Sequence, residues 1–269
     1  MDRLKEGFHA LKTEGATGII PFLTVGFPSV QETLELVPAL VEGGADVVEL
    51  GVPFSDPLAE GPTIQRASFH ALAEGVTLAT CLQVSRKLRS DGVRVPLVLM
   101  GYYNPILSYG LERFAVDAQD AGVDGVIVPD LPWEEAGPLR DECRRKGIHL
   151  IPLLAPTSTD ARIAQACEGA SGFVYCVSLT GVTGVRTELS SGIPALTQRV
   201  RRHTDLPLAI GFGISRRQHV EELAPWAEAM VVGSALIEVV EKAPPGERRE
   251  AVREFVAGLK GMVSTHGRQ

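Results

Sequence analysis

Three carboxylates, Glu49, Asp56 and Glu60, fall within the single stretch Val47-Val-Glu-Leu-Gly-Val-Pro-Phe-Ser-Asp-Pro-Leu-Ala-Glu-Gly-Pro-Thr-Ile-Gln65. Its first residues read as a short apolar strand carrying one charge. Side chains alternate along a strand, so if Val47 turns into a core then Glu49 turns into it as well, at the strand's carboxyl end. A charge placed there needs a chemical reason. Asp56 and Glu60 follow in a loop stiffened by Pro53, Pro57 and Pro62, which can hold acid groups in fixed positions.

Two other stretches suit an anion. Gly211-Phe-Gly-Ile-Ser215 follows the seventh apolar run of the chain, and Gly233-Ser-Ala-Leu-Ile237 follows the eighth and opens a helix. Small residues let backbone N–H groups approach a phosphate, and a helix start adds unpaired N–H groups and the positive end of its dipole. Ser234 either caps that helix or binds the anion. Ser178-Leu-Thr-Gly-Val-Thr-Gly-Val-Arg186 is a long small-residue loop of the kind that forms lids, and Arg186 on it is a phosphate contact or a solvated charge. Tyr102, Tyr103 and Tyr175, with Phe22 and Phe212, could hold a flat apolar ligand or simply pack the core.

Lysine and histidine point away from two other chemistries. None of Lys5, Lys12, Lys87, Lys146, Lys242 and Lys260 ends a predicted strand, which disfavours a Schiff-base aldolase. His9, His70, His149, His203, His219 and His266 are not closely paired and end no strand either, so no metal site is expected. Carboxylates, tyrosines and serines are left to do the chemistry, with no cofactor in this chain.

The elements that must position these groups repeat with one rhythm. Short apolar runs recur at Gly18 to Leu23, Val47 to Leu50, Pro96 to Met100, Gly125 to Val128, Leu150 to Leu154, Gly172 to Val177, Leu206 to Ile210 and Ala229 to Val232. Most are followed by an amphipathic segment: Gln31 to Val41, Leu78 to Leu88, Leu111 to Ala121, Glu134 to Arg145, Thr159 to Cys167, Ala195 to Arg202 and Arg216 to Leu223. Strands with little polar alternation are covered on both faces, and eight strand-helix units in roughly 250 residues predict an α/β fold of the (β/α)8 TIM-barrel type. A doubly wound open sheet is the competitor, but Thr24-Val-Gly-Phe-Pro28 after the first run is not its Gly-rich turn. Residues 1–269 are expected to form one domain, with an extra N-terminal helix over Met1 to Glu14 and a closing helix over Glu247 to Met262. Barrels place their sites at the carboxyl ends of the strands, where the three stretches above fall.

The apolar fraction of 45% supplies a sizeable core, and the net charge of −7 argues against a nucleic-acid or anionic-membrane surface while leaving room for a local phosphate pocket. Cys81, Cys143, Cys167 and Cys176 form no C-x-x-C pair and read as free thiols. The first ten residues lack the apolar core and cleavage site of a signal peptide, so a cytoplasmic chain is expected.

Along nearly its whole length the sequence resembles the tryptophan synthase α-subunit family. The motifs that carry the resemblance are Leu50 to Gln65, Tyr102-Tyr-Asn-Pro105, Val128-Pro-Asp-Leu-Pro132, Gly181-Val-Thr-Gly184, Gly211-Phe-Gly213 and Gly233-Ser234, in order and at matching spacing. The resemblance implies cleavage of indole-3-glycerol phosphate to indole and glyceraldehyde 3-phosphate without metal or cofactor. It implies Glu49 as general acid/base, and Glu60 at the position, commonly aspartate, that meets the indole N–H. Among apolar barrel residues and beside a second carboxylate, Glu49 should have a raised pKa. Phe22, Met100, Tyr102, Ile127, Tyr175 and Phe212 would form the indole pocket, Gly184, Gly213, Gly233 and Ser234 the phosphate contacts, and Thr183 the lid residue that pairs with position 60. Asp56, Asn104 and Pro132 would face a β subunit in an α2β2 heterotetramer, with pyridoxal phosphate only in that partner. Two alternatives stay open: a stand-alone lyase that needs no partner, and a catalytically weak subunit that binds and activates the β subunit.

Overall fold

The structure, a computed structural model, describes residues 2–177, 192–211 and 213–262. In chain order it runs α1 (Arg3–Glu14), β1 (Gly18–Thr24), α2 (Val30–Glu42), β2 (Val48–Gly51), α3 (Pro62–Ala73), α4 (Leu78–Ser90), β3 (Leu97–Met100), α5 (Tyr103–Tyr109), α6 (Leu111–Asp120), β4 (Gly125–Ile127) and α7 (Gly137–Arg145). It continues through β5 (His149–Ile151), β6 (Leu153–Leu154), α8 (Asp160–Gly169), β7 (Val174–Val177), α9 (Ile193–Arg201), β8 (Leu208–Gly211), α10 (Arg217–Leu223), β9 (Ala229–Val232), α11 (Ser234–Lys242) and α12 (Arg248–Lys260).

All described strand pairings are parallel, in the order β5-β4-β3-β2-β1-β9-β8-β7-β6. The two ends of that order, β5 and β6, are separated in the chain by Pro152 alone, so the ring closes through them into a (β/α)8 barrel. The apolar run Leu150 to Leu154 is therefore two short strands. Proline has no N–H for the ladder, while its carbonyl still accepts from the Tyr175 N–H at 3.0 Å.

Alternation along the strands sorts the side chains into two layers. Ile20, Val47, Val98, Ile127, Ile151, Ala209 and Val231 fill the barrel interior, whereas Ile19, Val48, Leu50, Leu99 and Val126 belong to the layer between barrel and helices. Glu49 pairs in register with Phe22 on one side and Val98 on the other, so it shares the interior face of Val47. The amino-terminal end of the interior is closed by α1: Leu4, Phe8 and Leu11, spaced to form one stripe, join the interior cluster, and the Phe8 and Phe173 rings sit 5.5 Å apart. Asp2 caps this helix by accepting from the Lys5 N–H at 3.0 Å.

The same end of the barrel carries three similar acid clamps. Asp46, Asp124 and Glu228 each stand just before a strand and reach back to the first N–H groups of the strand before it: Ile19 at 2.7 Å, Leu97 at 2.8 Å and Leu208 at 2.7 Å. Each also holds a cation, Lys260 at 2.7 Å, Arg89 at 2.5 Å and Arg201 at 2.5 Å respectively, and Asp124 adds Arg3 at 2.9 Å. Asp124 is the most enclosed of the three, so Asp124→Asn is expected to cost about 3 kcal/mol in urea unfolding, since it strands the buried Arg89. Asp46→Asn should cost less, because burial pushes the Asp46 pKa up more than the Lys260 and Ile19 contacts pull it down.

Candidate active site

Glu49 is the second residue of β2, not its last as the apolar run suggested, because the strand extends to Gly51; it has 1% of its surface exposed, and its Oε2 has no hydrogen-bond partner among the described residues. Burial raises its pKa to about 8, with the nearby charge of Glu60 adding to the shift. At neutral pH the group is therefore a protonated acid facing the barrel mouth, close enough to neutrality to give and retake a proton.

The second carboxylate is held by a scaffold of its own. The loop after β2 is tied to α3: the Ser68 hydroxyl accepts from the Phe54 N–H at 2.9 Å and donates to the Phe54 carbonyl at 3.1 Å, and the Gln65 amide donates to the Glu60 carbonyl at 3.0 Å. Gly61 and Pro62 start this helix, the proline filling a position whose N–H would be unpaired in any case. The Tyr102 hydroxyl accepts from the Ala59 N–H at 2.9 Å and donates to Glu60 Oε2. The Tyr102 ring stacks on Phe54, centroids 4.8 Å apart. Burial raises the Glu60 pKa, the Tyr102 hydrogen bond opposes that shift, and the charge of Asp130 adds to it. Burial, together with the adjacent carboxylate, keeps the Tyr102 hydroxyl protonated and so a donor.

Glu49 and Glu60 line one cavity of about 520 Å³, the size of a small-ligand site. Phe22, Met100 and Tyr175 give it apolar and aromatic walls. The Tyr175 hydroxyl is held protonated by burial and by the charge of Glu49. Gly213, Gly233 and Ser234 line the same cavity at the ends of β8 and β9, where α11 begins. Gly233 is the N-cap and has no side chain to cap the helix, which leaves the first N–H groups of the helix for a ligand, with the Ser234 side chain beside them. Among the described residues lining the cavity none is Lys, Arg or His. What the described residues offer an anion at that end is backbone N–H groups and the positive end of a helix dipole.

Close approach, rather than phosphate contact, explains one of the glycines. A Cβ at Gly211 would lie 2.0 Å from the Tyr175 hydroxyl. Gly211→Ala is expected to displace Tyr175 into the cavity, raise KM about tenfold and cost about 2 kcal/mol of stability. Steady-state kinetics and a urea titration of the same variant check both.

The structure brings together Glu49, Glu60, Phe22, Met100, Tyr175, Gly213, Gly233 and Ser234 around the cavity, with Tyr102 bonded to Glu60 from a small void beside it. Ile127, in register with Met100 on one side and Ile151 on the other, belongs to the apolar interior and is not among the residues that line the cavity. Asp56 and Pro132 on loops and Asn104 on α5 are exposed, as are Leu58 at 92%, in the loop of Asp56, and Leu107 at 51%, on the helix of Asn104. Thr183, Gly184, Arg186 and Phe212 lie outside the described residues. Ile64, Glu238 and Asp130 are among the cavity or near-cavity residues that the sequence does not single out. Ile64 and Glu238 lie on helices whose cavity-facing side no local pattern marks, and Asp130, fixed by the Tyr103 N–H at 2.9 Å, adds its charge to Glu60 from a separate loop. The Val128 to Pro132 motif carried the signal for Asp130.

A closed parallel barrel with a buried acid and a second carboxylate at its carboxyl-end mouth is the layout of a (β/α)8-barrel enzyme. The family model described as tryptophan synthase alpha chain matches residues 8–264. The tryptophan synthase alpha chain of Roseiflexus sp. (strain RS-1) is 54% identical over 261 residues, covering 97% of this chain and all of the relative. That of Chloroflexus aggregans is 50% identical, covering 96% and 97%. Among solved structures, tryptophan synthase subunit alpha from Legionella pneumophila superposes with a TM-score of 0.88 at 34% identity, covering 97% of this chain and 98% of that one. A chain from the tryptophan synthase α2β2 complex of the hyperthermophile Pyrococcus furiosus does so with a TM-score of 0.85 at 39% identity, covering 91% and 98%. The chain belongs to the tryptophan synthase alpha chain family and has the alpha-subunit role in tryptophan biosynthesis. It is a lyase of that synthesis, and among the described residues no helix is long and apolar enough to cross a membrane.

Proposed function

We propose that the chain cleaves indole-3-glycerol phosphate to indole and D-glyceraldehyde 3-phosphate by acid/base retro-aldol chemistry. The observation that carries this reading is the buried, protonated Glu49 in one cavity with an ionisable Glu60. The Glu49 carboxyl donates its proton to indole C3, which places positive charge on the ring and its nitrogen. Glu60 accepts a hydrogen bond from the ring N–H and stabilises that charge. The Glu49 carboxylate then takes the proton of the side-chain hydroxyl, the C3–carbon bond breaks with its electron pair returning to the ring, and the hydroxyl carbon leaves as the aldehyde. The acid is restored and protons balance, so the cycle calls on no metal or cofactor of this chain.

The phosphate lies at Gly213, Gly233 and Ser234, and the indole between Phe22, Met100 and Tyr175. The exposed residues Asp56, Leu58, Asn104, Leu107 and Pro132 form the face that meets a pyridoxal-phosphate β subunit in an α2β2 assembly, a reading supported by the assembly of the Pyrococcus furiosus protein. Indole release from indole-3-glycerol phosphate, measured with and without a β subunit, tests both parts. Release that rises when the subunit is added is expected. No release in either arm overturns the lyase reading, and release that ignores the subunit overturns the interface.

A further inference from the structure

Beside Glu60, sharing Phe22, Ile64 and Met100 with the main cavity, lies a small void bounded by Thr24, Ser68, Tyr102 and Glu60, with apolar walls that include Val52. The room for the centre of a water molecule in it is about 10 Å³, what one water occupies. Thr24 is 1% exposed at the end of β1, and its hydroxyl has no hydrogen-bond partner among the described residues. Buried hydroxyls in native proteins are almost always satisfied, by protein or by ordered water.

The other polar side chains around the void are committed. The Ser68 hydroxyl both accepts from and donates to the Phe54 backbone, and the Tyr102 hydroxyl accepts from the Ala59 N–H and donates to Glu60. With the Ser68 and Tyr102 protons both used, the Thr24 O–H is the one unpaired hydroxyl donor among the described residues around the void, and the Glu60 carboxylate, with lone pairs beyond the one Tyr102 uses, is the strongest acceptor there. We propose that Thr24 is a positioning residue for Glu60, acting through one water held between its hydroxyl and that carboxylate. The water accepts the Thr24 O–H and donates to Glu60, giving the carboxylate a further fixed donor beside Tyr102. The proposal rests on the reading of Glu60 as the partner of the indole N–H.

A donated hydrogen bond favours the ionised carboxylate. The other ionisable groups facing Glu60 are Tyr102, Glu49 on β2, Asp130 in the loop after β4 and Glu238 on α11. Among them Tyr102 alone donates to it.

The test uses indole release in the assembled complex by Thr24→Val, which keeps the shape and removes the hydroxyl, and by Thr24→Ser, which keeps the hydroxyl, each alone and in a Glu60→Gln background. A crystal structure of the wild-type chain and of Thr24→Val accompanies the kinetics. The expected results are a fall in kcat of about tenfold in Thr24→Val with KM within about twofold, and an acid limb of the pH profile moved to higher pH. Thr24→Ser should recover most of the rate, and Thr24→Val should cost nothing more once Glu60 is glutamine. The wild-type crystal should show one water within hydrogen-bond distance of both Thr24 Oγ1 and the Glu60 carboxylate, lost in Thr24→Val. An unchanged kcat and acid limb in Thr24→Val, equal loss in Thr24→Ser, or a dry void each overturns the proposal. If Glu60→Gln itself leaves the rate untouched while the bridging water is present, the reading of Glu60 fails and the water site stands.

Discussion

Glu49→Gln is expected to lower the kcat of indole release by about 10³-fold with KM little changed, because glutamine fills the same space but neither gives nor takes the proton. The same substitution should stabilise the fold at alkaline pH. The ordinary glutamate value of 4.5 describes the unfolded chain, and the folded value lies near 8. Between those values the folded chain holds a proton that the unfolded chain has lost, so wild-type stability declines as pH rises from 4.5 through 8 and the full penalty is present above 8. Glutamine carries no such penalty. Urea unfolding should find the variant a few kcal/mol more stable than wild type at pH 9 and close to it below pH 4.5. Equal stability of the two proteins across this range would contradict the buried-acid account of Glu49.

The second large effect is expected at Glu60. Glu60→Gln removes the charge that meets the ring N–H and should lower kcat/KM by about 10²-fold. It should also move the alkaline limb of the pH profile to lower pH, because the charge of Glu60 is the second cause of the raised Glu49 pKa, after burial. Glu60→Asp separates charge from reach. It keeps the negative charge, so the alkaline limb should stay where it is in wild type, while the carboxylate retreats by about 1.5 Å at most from its Tyr102 partner and the rate reports the misalignment. A limb that does not move in Glu60→Gln would mean that the two carboxylates do not sense each other.

Much of this was open to a reading of the sequence, and the reasons differ by residue. The inward turn of Glu49 follows from strand alternation with Val47, a local rule that needs no tertiary knowledge. The spacing of Leu4, Phe8 and Leu11 likewise marks α1 as an amphipathic cap. Pro152 was in plain view, yet the apolar run around it reads as one strand because hydropathy does not register a missing N–H. Helix α3 escaped notice because Gly61 offers no side-chain cap, and Pro62, Thr63 and Gln65 read as a continuation of the loop. With α3 unseen, the roles of Ser68 and Gln65 in holding the Glu60 loop could not be read either. The contacts that set the chemistry of Glu60 span the fold: Tyr102 is 42 residues away and Asp130 lies on a third loop. No periodicity connects them; the barrel does, by gathering separate strand ends at one mouth. Ile127 shows the limit of motif matching: it is in register with Met100, yet its side chain packs in the apolar interior and only Met100 of the pair lines the cavity.

The pH dependence of kcat/KM for indole release from indole-3-glycerol phosphate, taken from pH 6 to 10 on the wild-type chain and on Glu49→Gln, bears most directly on the central claim. The account predicts a wild-type rate that falls as pH rises through about 8, and a residual Glu49→Gln rate with no such limb. A Glu49→Gln protein that releases indole at the wild-type rate, or a wild-type profile flat across that range, would contradict it.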